Sequence, residues 1–190
     1  MSKLIHLALA GVVIAQLYGC AAVVVGGAAV GTSAALDRRT TGVYVSDQEI
    51  ELHAMDRLGK AYPQKTNSIS ATSYNRQVLL TGQVQDEATR SGAVQVVKQI
   101  PDVRTVFDEL SVGPVSSFSV NASDTSITSN VIARMLGDAD VPGSQIKVVT
   151  EAGVVYLMGL VTQAEAKAAT EVASTSTGVT KVVTLFEIIN

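Results

Sequence analysis

The chain has one cysteine, two histidines and no tryptophan, and only 4% of its residues are aromatic. One cysteine excludes an internal disulfide. No run or stripe of lysine and arginine occurs. The formal net charge is −3, from 14 basic against 17 acidic residues, and together these features argue against nucleic acid as a partner. A length of 190 residues leaves room for one ordinary domain or two small ones. Apolar residues make up 47% of the chain, but much of that excess lies within residues 1–36. The remainder has the composition of small soluble modules with cores of Val, Ile, Leu and Ala.

Residues 1–20 read MSKLIHLALAGVVIAQLYGC. Lys3 and the amino terminus make a short positive region, Leu4–Leu17 an apolar one, and Leu17-Tyr18-Gly19-Cys20 has the Leu-x-Gly-Cys form of a bacterial lipobox. This pattern predicts a signal peptide over 1–19, cleavage after small Gly19, and acylation of the Cys20 thiol and the freed amine with diacylglyceryl and palmitate-like chains. Each buried CH2 contributes ~0.8 kcal/mol, so two or three chains anchor durably. The competing reading is a transmembrane span from Leu4 to about Val25, and Gly26, Gly27 and Gly31 break helix continuity beyond it. The placement of the sole cysteine at the lipobox position favours the lipoprotein. Maturation would remove Lys3 and His6, giving a net charge of −4 (13 against 17) and leaving His53 as the last histidine. With Cys20 acylated, a Cys/His zinc site, a Cys–His nucleophile pair and a two-His iron site are all excluded within one chain, so no metal or cofactor is expected. Ala21 follows the cysteine where lipoproteins kept in the inner membrane commonly resemble one another in having Asp, which implies transport to the outer membrane. Residues 20–45 read as a lipidated tether ending in polar Asp37-Arg38-Arg39-Thr40-Thr41-Gly42.

Downstream, the sequence repeats itself at a spacing of about 77 residues. Ser46-Asp47-Gln48-Glu49-Ile50 matches Ser123-Asp124-Thr125-Ser126-Ile127, and Val78–Val84 matches Val155–Val161. After an offset change to 76, Val103–Phe107 matches Val179–Val183. Each copy reads as helix, strand, strand, helix, strand. Asp47 and Asp124 are candidate N-caps. Ile50, Ala54 and Leu58 share a helical face, as do Ile127, Val131 and Met135. Gln145–Glu151 and Val154–Val161 read as alternating strands around Ala152-Gly153, with Asn75-Arg76 in the corresponding turn. The second helices span about Asp86–Gln99 (Ala93, Val96, Val97 and Ile100 inward) and Gln163–Ser174 (Ala166, Ala169, Val172 and Ala173 inward). The last strand, Val179–Ile188, is β-branched and is expected to be largely buried. The expected fold is α+β: two tandem modules, each a three-stranded mixed sheet with two helices on one face. The boundaries read as module 1 over 46–114, a linker over 115–122 and module 2 over 123–190.

The blocks Val154–Val161 and Gly178-Val179-x-x-Val182 resemble the BON module. Copy one carries Gln77–Val84 and has Asp102-Val103-x-x-Val106 where Gly-Val is usual. A lipobox, an Ala-Val-Gly-rich stretch and two such modules together resemble the DolP/YraP group of outer-membrane lipoproteins, over about residues 1–190. The resemblance implies a non-catalytic periplasm-facing lipoprotein that binds anionic phospholipid through the first helix of its second module. It also implies a part in outer-membrane integrity, a place at the division site, and links to outer-membrane assembly or cell-wall remodelling proteins. On that helix, with Ile127, Val131 and Met135 inward, the outer face would carry Ser126, Ser129, Asn130, Ala133 and Arg134, with Arg134 placed to meet a phosphate. It offers no aromatic wedge and no basic cluster. Residues 122–190 hold four basic against seven acidic residues, so anionic-lipid affinity would have to be local or aided by the anchor. The alternative reading is an envelope protein-interaction scaffold that touches lipid only through Cys20. His53, with Glu49 and Asp56 near in sequence, lacks a convergent partner for catalysis. Gly82 and Gly159 read as close-approach or bulge positions rather than phosphate loops.

Overall fold

The computed structural model describes residues 37–115 and 118–190. Cys20, the leader and most of the tether lie outside the described residues. Residues 38–190 form one compact unit.

Module 1 opens with α1 (Thr41–Ala61), followed by β1 (Ser68–Tyr74), β2 (Gln77–Val84), α2 (Glu87–Lys98) and β3 (Thr105–Val112). Module 2 repeats the order as α3 (Phe118–Leu136), β4 (Ile146–Glu151), β5 (Val154–Val161), α4 (Gln163–Ser174) and β6 (Lys181–Ile188). In each module the first two strands are an antiparallel hairpin and the third lies parallel to the second, so the long second strand is central. The parallel pair needs a crossover, which α2 and α4 supply. Asn75 and Arg76 have φ of 52° and 63°, and Ala152 and Gly153 have 49° and 77°. Two consecutive left-handed residues give the primed turn whose twist matches a two-residue hairpin.

Both first helices begin earlier than the repeat suggests. Thr40, not Asp47, caps α1, its side chain accepting from Val43 N. Helical structure therefore takes in residues 41–45, and α3 starts at Phe118. The two aspartates serve the hairpins instead. Asp47, 1% exposed, accepts from Ser73 Oγ (2.7 Å), Asn75 N (2.8 Å), Arg76 N (2.7 Å) and Arg39 Nη1 (2.8 Å). Asp124 accepts from Ala152 N at 2.8 Å and Gly153 N at 2.9 Å. Each aspartate satisfies the outward N–H groups of a turn in the left-handed region, so each first helix is stapled to its own hairpin.

The helical stripes pack as their spacing predicts. Ile50, Ala54, Leu58, Val78, Leu80, Val84, Ala93, Val97, Ile100 and Leu110 make the first core, with Val96 partly buried against it. Ile127, Val131, Met135, Val155, Leu157, Val161, Ala166, Ala169, Val172 and Ala173 are central to the second. Val154–Val161 does not alternate in burial: all of it is buried except half-buried Val154 and Leu160. The reason is a third cluster. Tyr74 and Leu79, with Phe107, meet Tyr156, Met158, Val149, Val154, Leu160, Val183 and Leu185 from module 2. The sheets lie face to face with helices outside, so β2 and β5 are covered on both faces; β5 is apolar on both, whereas the inter-module face of β2 sets Leu79 among buried Thr81 and Gln83. β6 is an edge strand and only half buried, which corrects the expectation of a largely buried last strand.

Candidate functional site

The contact between modules is closed by polar bonds around its apolar centre. Tyr74 Oη donates to Gln145 O (2.9 Å), Gln83 Nε2 to Glu151 Oε1 (2.6 Å) and Asn75 Nδ2 to Glu187 Oε2 (2.8 Å). Burial, partly offset by Gln83, raises the Glu151 carboxyl above its ordinary range. Burial, with Glu109 beside it, pushes the Tyr156 phenol up to about 12. The segment before α1 joins the contact as well. Arg38 grips the Glu165 carboxylate through two N–H groups, each at 2.7 Å, and donates to Leu160 O at 2.9 Å. Glu165 also completes the capping box of α4 with Thr162. Chiefly through Arg38, and against some desolvation, its carboxyl is held down to about 2. Arg39 lies over the rings of Tyr74 (4.0 Å) and Tyr44 (5.1 Å) while paired with Asp47. The descent of the chain from the anchor side is thus fixed at its entry to the folded unit.

With both sheets occupied, helix faces and strand edges are the surfaces available for contact. On α3, Ser126, Ser129, Asn130 and Ala133 are exposed as their spacing predicts. Ser129 Oγ is turned back onto Thr125 O at 2.9 Å. Arg134 is also exposed, but its guanidinium is committed. Nη1 donates to Val172 O (2.9 Å) and Ser176 Oγ (2.7 Å), and Nη2 donates to Thr175 Oγ1 (3.0 Å). It caps the C-terminal end of α4, where unpaired carbonyls and the helix dipole favour a cation. Arg57, its counterpart 77 residues earlier, donates to Gln99 O at the end of α2. This arginine is therefore part of how both modules are built. Sequence reasoning missed Ile132 and Leu136, which are 37% and 61% exposed on the same helix. They lie four residues apart, outside the Ile127–Val131–Met135 stripe, and that offset was the available signal.

His53 is exposed on α1, and Asp56 is paired with Lys60 at 2.8 Å rather than with it. Among the described residues no group of His, Cys, Asp and Glu could hold a metal ion, and no helix is long and apolar enough to cross a membrane. Gly82 has φ +114°, and an added Cβ would run into Ser68 O, as expected for a close-approach position. Gly178 has φ +88°, and its counterpart Asp102 has φ +67°, so the turn before the last strand keeps its left-handed geometry without glycine in module 1.

Comparison with known proteins matches the BON domain model to residues 46–114 and again to 123–190. The chain is 38% identical to the outer membrane lipoprotein DolP of Haemophilus influenzae, over 90% of this chain and 89% of that protein. It is 30% identical to a 21 kDa hemolysin of Actinobacillus pleuropneumoniae, over 78% and 77% of the two chains. It is 37% identical to the osmotically inducible protein Y of Escherichia coli K12, over 62% and 60%. Two copies of the module in sequence and in structure, with near full-length similarity to a lipoprotein of this architecture, lead to one assignment: the chain belongs to the BON-domain family, as a dual-module member of the DolP group of outer-membrane lipoproteins.

Proposed function

We propose that this lipoprotein is anchored by acyl chains on Cys20, leaves residues 20–37 as the connection to the folded unit, and acts without catalysis by binding anionic phospholipid through the outer face of α3. In that role it supports outer-membrane integrity, including at the division site. The observation that carries the reading is the α3 surface: Ile132 and Leu136 stand exposed beside small and polar Ser126, Ser129, Asn130 and Ala133. A shallow aliphatic ridge with small neighbours is suited to entering the headgroup–acyl boundary. Arg134 enters the reading only through the N–H donors that its cap on α4 leaves over. Seven acids against four cations in residues 122–190 make general attraction to an anionic surface unfavourable, so the anchor supplies the effective concentration and α3 the local contact.

Vesicle co-sedimentation of residues 38–190 at low salt tests this, comparing phosphatidylglycerol with phosphatidylcholine. Preference for the anionic vesicles is expected, with loss in an Ile132→Ser/Leu136→Ser variant. Those positions are better probes than Arg134, whose replacement also uncaps α4. No binding by the parent fragment would remove the lipid-contact reading and leave an envelope protein-interaction scaffold held by Cys20 alone.

A further inference from the structure

The two copies differ sharply at one place, the track between the first helix and the first strand. In module 1 this track is an open groove of about 340 Å3. Its helix wall is Leu52, Met55, Leu58, Gly59 and Tyr62, and its strand wall is Ile69 and Ala71. Leu52 is 60% exposed and Met55 68%, a large aliphatic exposure for one helix face. In module 2, Leu136 stands at the position of Gly59 and Val148 at that of Ala71.

The strand wall says what the groove takes. β1 is an edge strand. Its two-residue turn pairs Tyr74 with Gln77, so Tyr74, Thr72, Ser70 and Ser68 exchange bonds with β2, while Ser73, Ala71 and Ile69 turn their peptide groups outward. Ser73 N is satisfied by Glu51 Oε1 at 2.9 Å. Among the described residues, the peptide groups of Ile69 and Ala71 meet no partner. Two outward residues, one residue apart, offer about four ladder bonds to a strand laid beside them. An acyl chain would leave those groups unpaired, which is costly wherever water is excluded.

Glu51, the one charged residue in the groove lining, is already taken at the hairpin end by Ser73 N and by Lys147 Nζ at 3.8 Å, so the groove offers a partner apolar side chains and unpaired peptide groups rather than a charge. We propose that the α1–β1 groove of module 1 is a docking site for an extended peptide segment that adds a strand to β1. Its alternate apolar side chains seat against Leu52, Met55 and Tyr62. This is strand addition with pockets for alternate residues, and it does not depend on the lipid contact assigned to α3.

The test uses the full chain, anchored in phosphatidylcholine nanodiscs, as bait for a display library of random ten-residue peptides. The control bait is Gly59→Leu, which copies module 2. An added Cβ at Gly59 meets nothing within 4 Å, and leucine favours the helix, so the variant should melt no lower than the parent. Expected are enriched peptides with apolar residues at every second position. They should slow hydrogen exchange in segment 68–73 and bind at least about tenfold more weakly to Gly59→Leu. Failure to enrich peptides over the Gly59→Leu bait overturns the proposal. So does protection of segment 68–73 by phosphatidylglycerol in the nanodisc that Gly59→Leu abolishes, which would make the groove a lipid site.

Discussion

Replacing Asp47 by alanine should be among the most damaging single changes in module 1, and more damaging than Asp124→Ala in module 2. Asp47 accepts four bonds at 2.7–2.8 Å, from two turn amides, a buried hydroxyl and a guanidinium whose side chain is 9% exposed. Its removal leaves Ser73 Oγ without that acceptor and takes from Arg39 the carboxylate at 2.8 Å. Breaking a buried ion pair by deleting one partner costs about 3–5 kcal/mol, because the remaining charge is uncompensated. Asp124 accepts two turn amides and, among the described residues, forms no ion pair. With two charge-assisted bonds lost instead of four and no cation stranded, the cost is about 1.5 kcal/mol for each bond. The expected order is a loss of about 4 kcal/mol for Asp47→Ala, about 2–3 kcal/mol for Asp124→Ala, and an intermediate value for Asp47→Asn, which keeps one acceptor oxygen. Urea unfolding of residues 38–190 at neutral pH measures all three. Equal losses, or a loss under about 1 kcal/mol for Asp47→Ala, would show that the turn amides rather than the ion pair carry the staple, and would refute the reasoning.

The other predictions concern single groups. Because Arg38 holds the Glu165 carboxyl down to about 2, its contribution is complete above the unfolded carboxylate pKa and is lost as pH falls toward 2; Glu165→Gln should flatten the stability profile between about pH 5 and 2 in acid titrations followed by circular dichroism. The Tyr156 phenol, pushed up to about 12, should give an ionisation step at 295 nm above the ordinary tyrosine range, and its contribution to stability should fall as pH rises from about 10 through 12; Tyr156→Phe should abolish that step. Gly82→Ala should cost at least about 2 kcal/mol, since φ is +114° and the added Cβ meets strand backbone, whereas at Gly159, outside the left-handed region with 3.2 Å to Gln145 O, the same change should cost about half as much.

The modules were legible in the sequence because local periodicity and burial agree. Ile50, Ala54 and Leu58 point inward because the helix repeats every 3.6 residues, and the turns at Asn75-Arg76 and Ala152-Gly153 follow from short-range backbone preference. What escaped was set by contacts distant in sequence. Asp47 looks like a cap because a short acceptor before an apolar stripe usually is one, and its partners at positions 73, 75 and 76 come near only after the hairpin folds. Arg134 was placed on the correct outer face, but its acceptors lie 38 to 42 residues away on α4. The packing of sheet on sheet did leave a trace in the unbroken apolar run Val154–Leu160, which a strand with one solvated face would not need.

That packing decides where this lipoprotein can meet anything else. Each module's own helix-facing core is held to similar residues in both copies: Ile50 matches Ile127, Val78 matches Val155, Leu80 matches Leu157 and Val84 matches Val161. Arg57 and Arg134 remain alike because each closes the end of its own second helix. The sheet faces that meet are free to differ, Thr81 standing opposite Met158 and Gln83 opposite Leu160 in the alignment of the copies. The copies differ again on the outward side of α1 and α3, where Leu52 aligns with Ser129, Met55 with Ile132 and Gly59 with Leu136. No core requirement accounts for these differences, since those side chains stand outside both clusters. Modules that share a core and differ on their exposed first helices are suited to different contacts, which is the basis of the two proposals made for them: a membrane surface at the α3 ridge and an added strand at the cleft beside α1.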